Sequence, residues 1–117
     1  MAAPDLDVLA TVVRTVLEET HVEYAQMPFF VRPMVRRGFV KRTGHDLAAW
    51  GRLLEAAARG EVASGLGASL ARLAGHYDTA PDRAKRGMGA RPEELREVER
   101  RSATRAAAVR ALADALR

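Results

Sequence analysis

The sequence predicts an all-α fold, a compact bundle of about five helices with a mobile loop before the last one. Three observations carry that expectation. Apolar residues recur at helical spacing in several separate stretches, no alternating run is long enough for a strand, and capping or stop residues punctuate the periodic stretches.

Asp5 is a good N-cap, and Leu6, Leu9, Val13, Val16, Leu17 and Tyr24 follow at helical spacing, which predicts a first helix over roughly 5–25. Pro28 interrupts it, because proline lacks a backbone donor and its ring restricts the residue before it. A second helix is expected from Pro28 or Pro33 to about Thr43, with Pro33 suited to a first turn. Gly44 reads as its stop and Asp46 as the next N-cap. The third helix, 46–59, places Leu47, Trp50, Leu53, Leu54 and Ala57 on one face and ends at Gly60. A fourth, roughly 61–75, uses Val62, Leu66, Leu70 and Leu73. Gly65 and Gly67 each cost about 1 kcal/mol against alanine there, so this helix is expected to be short or distorted. Residues 76–91 show no apolar period and read as the mobile loop. Pro92 opens the last helix, 92–117, with Glu93 and Glu94 at the positive end of its dipole and an apolar edge of Leu95, Val98, Val109, Leu112 and Leu116.

The 117 residues are 48% hydrophobic and 29% charged, the composition of a single globular domain with one modest core. No apolar run reaches the roughly 18 residues of a membrane-spanning helix. The N-terminus, Met1 to Asp7, is acidic and lacks the basic and apolar regions of a signal peptide. Absence of cysteine excludes disulfides, thiolate metal sites and cysteine nucleophiles, and a reducing cytoplasm is the expected location.

Charge is unevenly placed. Residues 1–31 carry five acids against one base, whereas residues 32–60 carry seven bases against two acids. The positive excess begins at Arg32, and such a patch speaks about partners rather than fold.

Candidates for chemistry are sparse. Glu18 and His21 form one Glu-x-x-His pair, which points two ligands the same way on a helix, but a carboxylate-bridged metal centre needs a second pair and further carboxylates. His45-Asp46 and His76-Tyr77-Asp78 are accompanied by no recognisable nucleophile, and a capping segment and a polar loop explain them as well. No phosphate-binding glycine loop is present, and Gly65–Gly67 does not follow a strand. The expectation is a non-enzymatic chain with no metal and no cofactor.

The strongest local feature is the stretch from Met27 to Arg42, where Arg32, Arg36, Arg37, Lys41 and Arg42 occur without one acid. Arg32/Arg36 and Arg37/Lys41 stand four apart, so each pair repels its own helix by a few tenths of a kcal/mol, on the order of 0.3. Phe30, Met34, Val35 and Phe39 can occupy the opposite side, and a core helix with a solvated basic face accounts for the whole pattern. Two sharper readings remain. A face of guanidiniums can hold phosphates or carboxylates of a partner or ligand. An aromatic and basic mixture can also lie on an anionic membrane, a weaker reading because so small a domain needs those apolar residues in its core. Nucleic acid stays open through this segment and Arg83-Ala84-Lys85-Arg86, although no recognition or stacking motif accompanies them. A homo-oligomer through the alanine-rich last helix is a further possibility.

Met27-Pro28-Phe29-Phe30-Val31-Arg32, continued by Val35-Arg36-Arg37 and closed by Gly44 before helix 46–59, resembles the small helical module at the C-terminus of the B subunit of light-independent protochlorophyllide reductase. The resemblance covers about a third of the chain, residues 27–59 at most. A long acidic helix replaces the tryptophan-containing approach of that family, Pro33 and Gly38 make the basic helix less regular, and nothing after about residue 60 has a counterpart. In that family the module is an accessory near the tetrapyrrole pocket of a larger catalytic core. The resemblance therefore implies a helper that packs against a larger protein partner or binds an anionic tetrapyrrole through Arg32, Arg36 and Arg37. Phe29, Phe30 and Trp50 would flank the ring, although the residues themselves read more simply as core beneath a contact face of Arg32, Arg36, Arg37, Lys41 and Arg42. The alternative is a small nucleic-acid-binding protein using the same basic face.

Overall fold

Asp5 caps the first helix as expected, its side chain accepting from the Asp7 amide at 2.9 Å, and α1 runs Leu6–Ala25. The computed structural model describes residues 5–88 and 91–117, apart from the side chain of Met88. All its regular elements are helices: α2 Arg32–Thr43, α3 Leu47–Ala58, α4 Leu66–Asp78, α5 Ala80–Met88 and α6 Pro92–Ala115 follow α1. None is long and apolar enough to cross a membrane.

The joints follow the chemistry of their residues. Pro28 ends the approach from α1, and its carbonyl accepts from the amides of Val31 and Arg32 in a tight turn that leads into α2. Pro33 occupies the first turn of α2, and Gly44 ends it in the left-handed conformation, φ 90°. A side chain at Gly44 would also collide with Arg72, whose Nη1 stands 2.9 Å from where a Cβ would lie. Asp46 caps α3 by accepting from the Ala49 amide at 2.7 Å.

Two expectations are corrected. The fourth helix starts later than expected and is not short: Gly65, φ 78°, forms its N-cap, Gly67 lies in its first turn, and the helix extends past residue 75 to Asp78. The segment 76–91 is not a loop over its described part. Leu66, Leu70, Leu73, Ala74 and Tyr77 keep the helical period through the supposed loop, and His76 and Tyr77 are buried. Then α5 forms with Pro81 near its start, Asp82 in its first turn and Lys85 and Arg86 in its last. Residues 89 and 90 of the expected loop lie outside the described residues.

One cluster of buried side chains joins five of the helices: Val13, Val16, Leu17 and Tyr24 from α1, Phe39 from α2, Trp50 and Leu54 from α3, Leu70, Leu73 and Tyr77 from α4, and Val109 and Leu112 from α6. Helix α4 packs on α6, α1 on α3 and α6, and α5 on α6, while α2 rests mainly on α4. Two polar pairs lie inside the core, while Arg105 Nε is buried with no hydrogen-bond partner among the described residues. Thr20 Oγ1 and the Tyr77 hydroxyl stand 2.7 Å apart, and Trp50 Nε1 donates to Thr43 Oγ1 at 3.0 Å, tying α3 to the end of α2.

Candidate functional site

Helix α2 turns its five bases to different sides. Arg32, Val35, Phe39 and Thr43 recur at intervals of three or four and form the inward stripe, in which Phe39 and Thr43 are buried. Arg32 is half-buried and its Nε donates to the Met27 carbonyl at 2.8 Å, which holds the turn that leads into the helix. Met34, Arg37 and Lys41 form an exposed outward stripe. Arg36 faces α1 and α3, and Arg42 bends the other way, its Nε donating to His76 Nδ1 of α4 at 3.0 Å. The single basic contact face expected from the sequence is therefore not assembled: only Arg37 and Lys41 share the outward stripe.

The aromatic residues also divide. Trp50 is fully buried, as expected of core, and its ring meets His45 edge to face at 5.2 Å. Phe29 and Phe30 are not core: they are 79% and 72% exposed, and their rings stand edge to face 5.7 Å apart. Met34, in the following turn, is 62% exposed. The expectation that Phe30 and Met34 would line the buried side of the helix is thereby overturned. The cause is local. Phe29 and Phe30 sit in a turn rather than a helix, so helical periodicity does not govern which way they face, and Phe39 with Tyr24 already fills the space beneath α2 at a ring separation of 6.2 Å. The result is three exposed apolar side chains, Phe29, Phe30 and Met34, in the turn and first helical turn that precede the exposed Arg37 guanidinium and Lys41 ammonium of α2.

A groove of about 920 Å³ opens between α1, α2 and α3. Leu17, Tyr24, Phe39 and Leu47 supply its apolar surface, and Arg14, Arg36 and Arg52 its cationic groups. Among the described residues none of these three arginines lies within 4.0 Å of a carboxylate. Glu18 and His21 also line this groove, so the Glu-x-x-His pair is brought next to arginines. No group of three His, Cys, Asp or Glu residues that could hold a metal occurs among the described residues. Arg14 and Arg52 were not legible as site residues, because only the packing of α1 on α3 brings them to Arg36.

On the opposite flank of α2, His76 is only 4% exposed. Burial, and then the charges of Arg83 and Arg42, push its pKa down to about 3, so the imidazole is neutral at physiological pH. Of the other predicted candidates, His45 packs against Trp50 and Asp46 serves as the α3 cap. Tyr77 is buried on Thr20, with its pKa pushed up to about 12 by that burial, and Asp78 pairs with Arg110 of α6.

No protein family, no curated protein and no solved structure matches this chain.

Proposed function

We propose that this chain is a non-enzymatic, cytoplasmic interaction module that docks on a larger protein through Phe29, Phe30 and Met34, with Arg37 and Lys41 beside them and Arg36 around the side of α2. The observation that carries the reading is the exposure of two adjacent phenylalanines, 79% and 72%, in a chain with only six aromatic residues. Burying each ring at an interface is worth about 2 kcal/mol, and aromatic anchors ringed by charge are what a docking surface uses.

The occupant follows from charge. Residues 27–42 contain no acid, so the complementary surface is acidic and offers apolar pockets for the two rings. A flat anionic bilayer could engage only the outward pair Arg37 and Lys41, at about 1 kcal/mol per base, because the other bases turn away. A shaped protein surface can follow the helix around to Arg36. The same role, an accessory helix pair seated on a larger enzyme, is what the resemblance of residues 27–59 to the protochlorophyllide reductase module implies, and we include that kinship in the proposal.

The test is a nuclease-treated affinity capture followed by titration of the purified partner against the wild type, Phe29→Ser/Phe30→Ser and Arg37→Glu/Lys41→Glu. Binding by the purified acidic partner that falls at least about tenfold in both variants supports the proposal. Recovery that nuclease abolishes would move the assignment to nucleic acid, and retention on anionic vesicles alone would move it to the membrane surface. Equal capture by all three proteins would overturn the docking surface itself.

A further inference from the structure

Arg42 of α2 and Arg83 of α5 converge on one atom. Arg42 Nε donates to His76 Nδ1 at 3.0 Å, and Arg83 Nη2 stands 3.3 Å from the same nitrogen. Arg83 is otherwise held, with Nη1 donating to Thr79 Oγ1 at 2.6 Å and Nη2 to the His76 carbonyl at 2.7 Å. The Nη1 and Nη2 groups of Arg42 make no hydrogen bond among the described residues. They lie instead against Gly38, where a Cβ would stand 3.0 Å from Nη1 and 3.1 Å from Nη2. A glycine in mid-helix leaves the room that this guanidinium occupies.

The charge balance at this point is unusual. Among the described residues no carboxylate lies within 4.0 Å of either guanidinium, although Asp82 adjoins Arg83 in the chain. Arg86 of α5 adds a further positive charge acting on Arg83. By contrast Arg105, more deeply buried than either, pairs with Glu23 at 2.6 Å. Two half-buried cations held on one imidazole repel each other, no carboxylate among the described residues pairs with either, and Asp82 acts on Arg83 only from beyond 4.0 Å, so a dianion is the species that would offset the repulsion.

We propose that Arg42 and Arg83 form a binding site for the phosphate group of a ligand, with the Arg42 Nη1 and Nη2 groups as its open donors and His76 Nδ1 as the acceptor that orients the pair. A phosphomonoester carries roughly two negative charges near neutral pH and matches the planar guanidinium fork, whereas a single carboxylate would leave one cation unneutralised. The site lies on the opposite flank of α2 from Arg36 and stands independently of the docking surface.

The test follows the Nε–H resonances of Arg42 and Arg83 in the full-length, nitrogen-15-labelled chain. Inorganic phosphate, phenyl phosphate and acetate are titrated separately at ionic strength held constant with sodium chloride. Saturable shifts of both resonances with phosphate, and binding about tenfold weaker with acetate, are expected. Arg42→Lys keeps the charge but loses the fork and should weaken phosphate about tenfold, as should Arg83→Lys, with folding of each confirmed from its amide spectrum. Tighter binding of phenyl phosphate than of phosphate assigns the site to an ester, and the reverse assigns it to free phosphate. Shifts that do not saturate, that acetate reproduces at equal concentration, or that both lysine variants leave unchanged would overturn the site.

Discussion

Arginine serves opposite purposes on two sides of this bundle. Where α1, α4 and α6 meet, Arg105 is nearly buried, pairs with Glu23 at 2.6 Å and Glu19 at 3.5 Å, and lies 5.9 Å over the Tyr77 ring. Arg110 pairs with Asp78 across the α4–α6 contact. Around α2, none of Arg32, Arg36, Arg37, Lys41 and Arg42 has a carboxylate within 4.0 Å among the described residues, and three apolar side chains stand exposed beside them. The acids are not scarce in the chain, since 15 face 19 bases, so the difference lies in their placement. In one region the cations pair with carboxylates of the chain, and in the other they have no such partner among the described residues.

The comparison can be broken by experiment. The largest expected effect is acid destabilisation at the boundary between the two regions. His76 titrates near 3 when folded against an ordinary value of 6.5, so between those pH values the unfolded chain binds a proton that the folded chain refuses. Stability contributed by the neutral imidazole is full above pH 6.5 and falls as pH drops toward 3, by at most about 5 kcal/mol. Urea unfolding of the wild type and of His76→Gln across that range should show a flatter pH dependence for the variant. Equal slopes would mean that His76 is not held neutral.

Next in size is Trp50→Ala, which empties a fully buried site and removes the bond to Thr43, at about 4 kcal/mol by denaturant unfolding. Arg105→Ala should cost about 2 kcal/mol, because Glu23 and Glu19 lose their partner but keep some solvent. Phe29→Ser/Phe30→Ser should change stability by no more than about 0.5 kcal/mol, since these rings support no packing beneath them. A large loss in that last variant would place the rings in the core after all and remove the contrast between the two regions.

Much of the architecture was legible from local chemistry. The caps at Asp5 and Asp46, the stop at Gly44 and the starts at Pro33 and Pro92 each rest on residues next to one another in the chain, and each stands where it was expected. Helix α5 was missed because its apolar period, Ala80, Ala84 and Met88, is short and carried mostly by alanine between charged residues, and the end of α4 because His76 and Tyr77 were read as polar. The site was less legible. That the five bases of α2 diverge depends on which stripe Phe39 draws inward, and the exposure of Phe29 and Phe30 depends on a turn whose facing no periodicity encodes. Arg83 meets Arg42 only through the packing of α2 on α4, a contact invisible in a sequence that separates them by 41 residues.

The most direct test of the claim that the α2 side is built for an external protein is site-specific photocrosslinking in cells. A photoreactive phenylalanine analogue replaces Phe30, and, as a control, Thr104 on the exposed side of α6. The account predicts one discrete adduct from position 30, mapping to an acidic and apolar surface of a larger protein, and none from position 104. No adduct at position 30, or the same adducts from both positions, would contradict it.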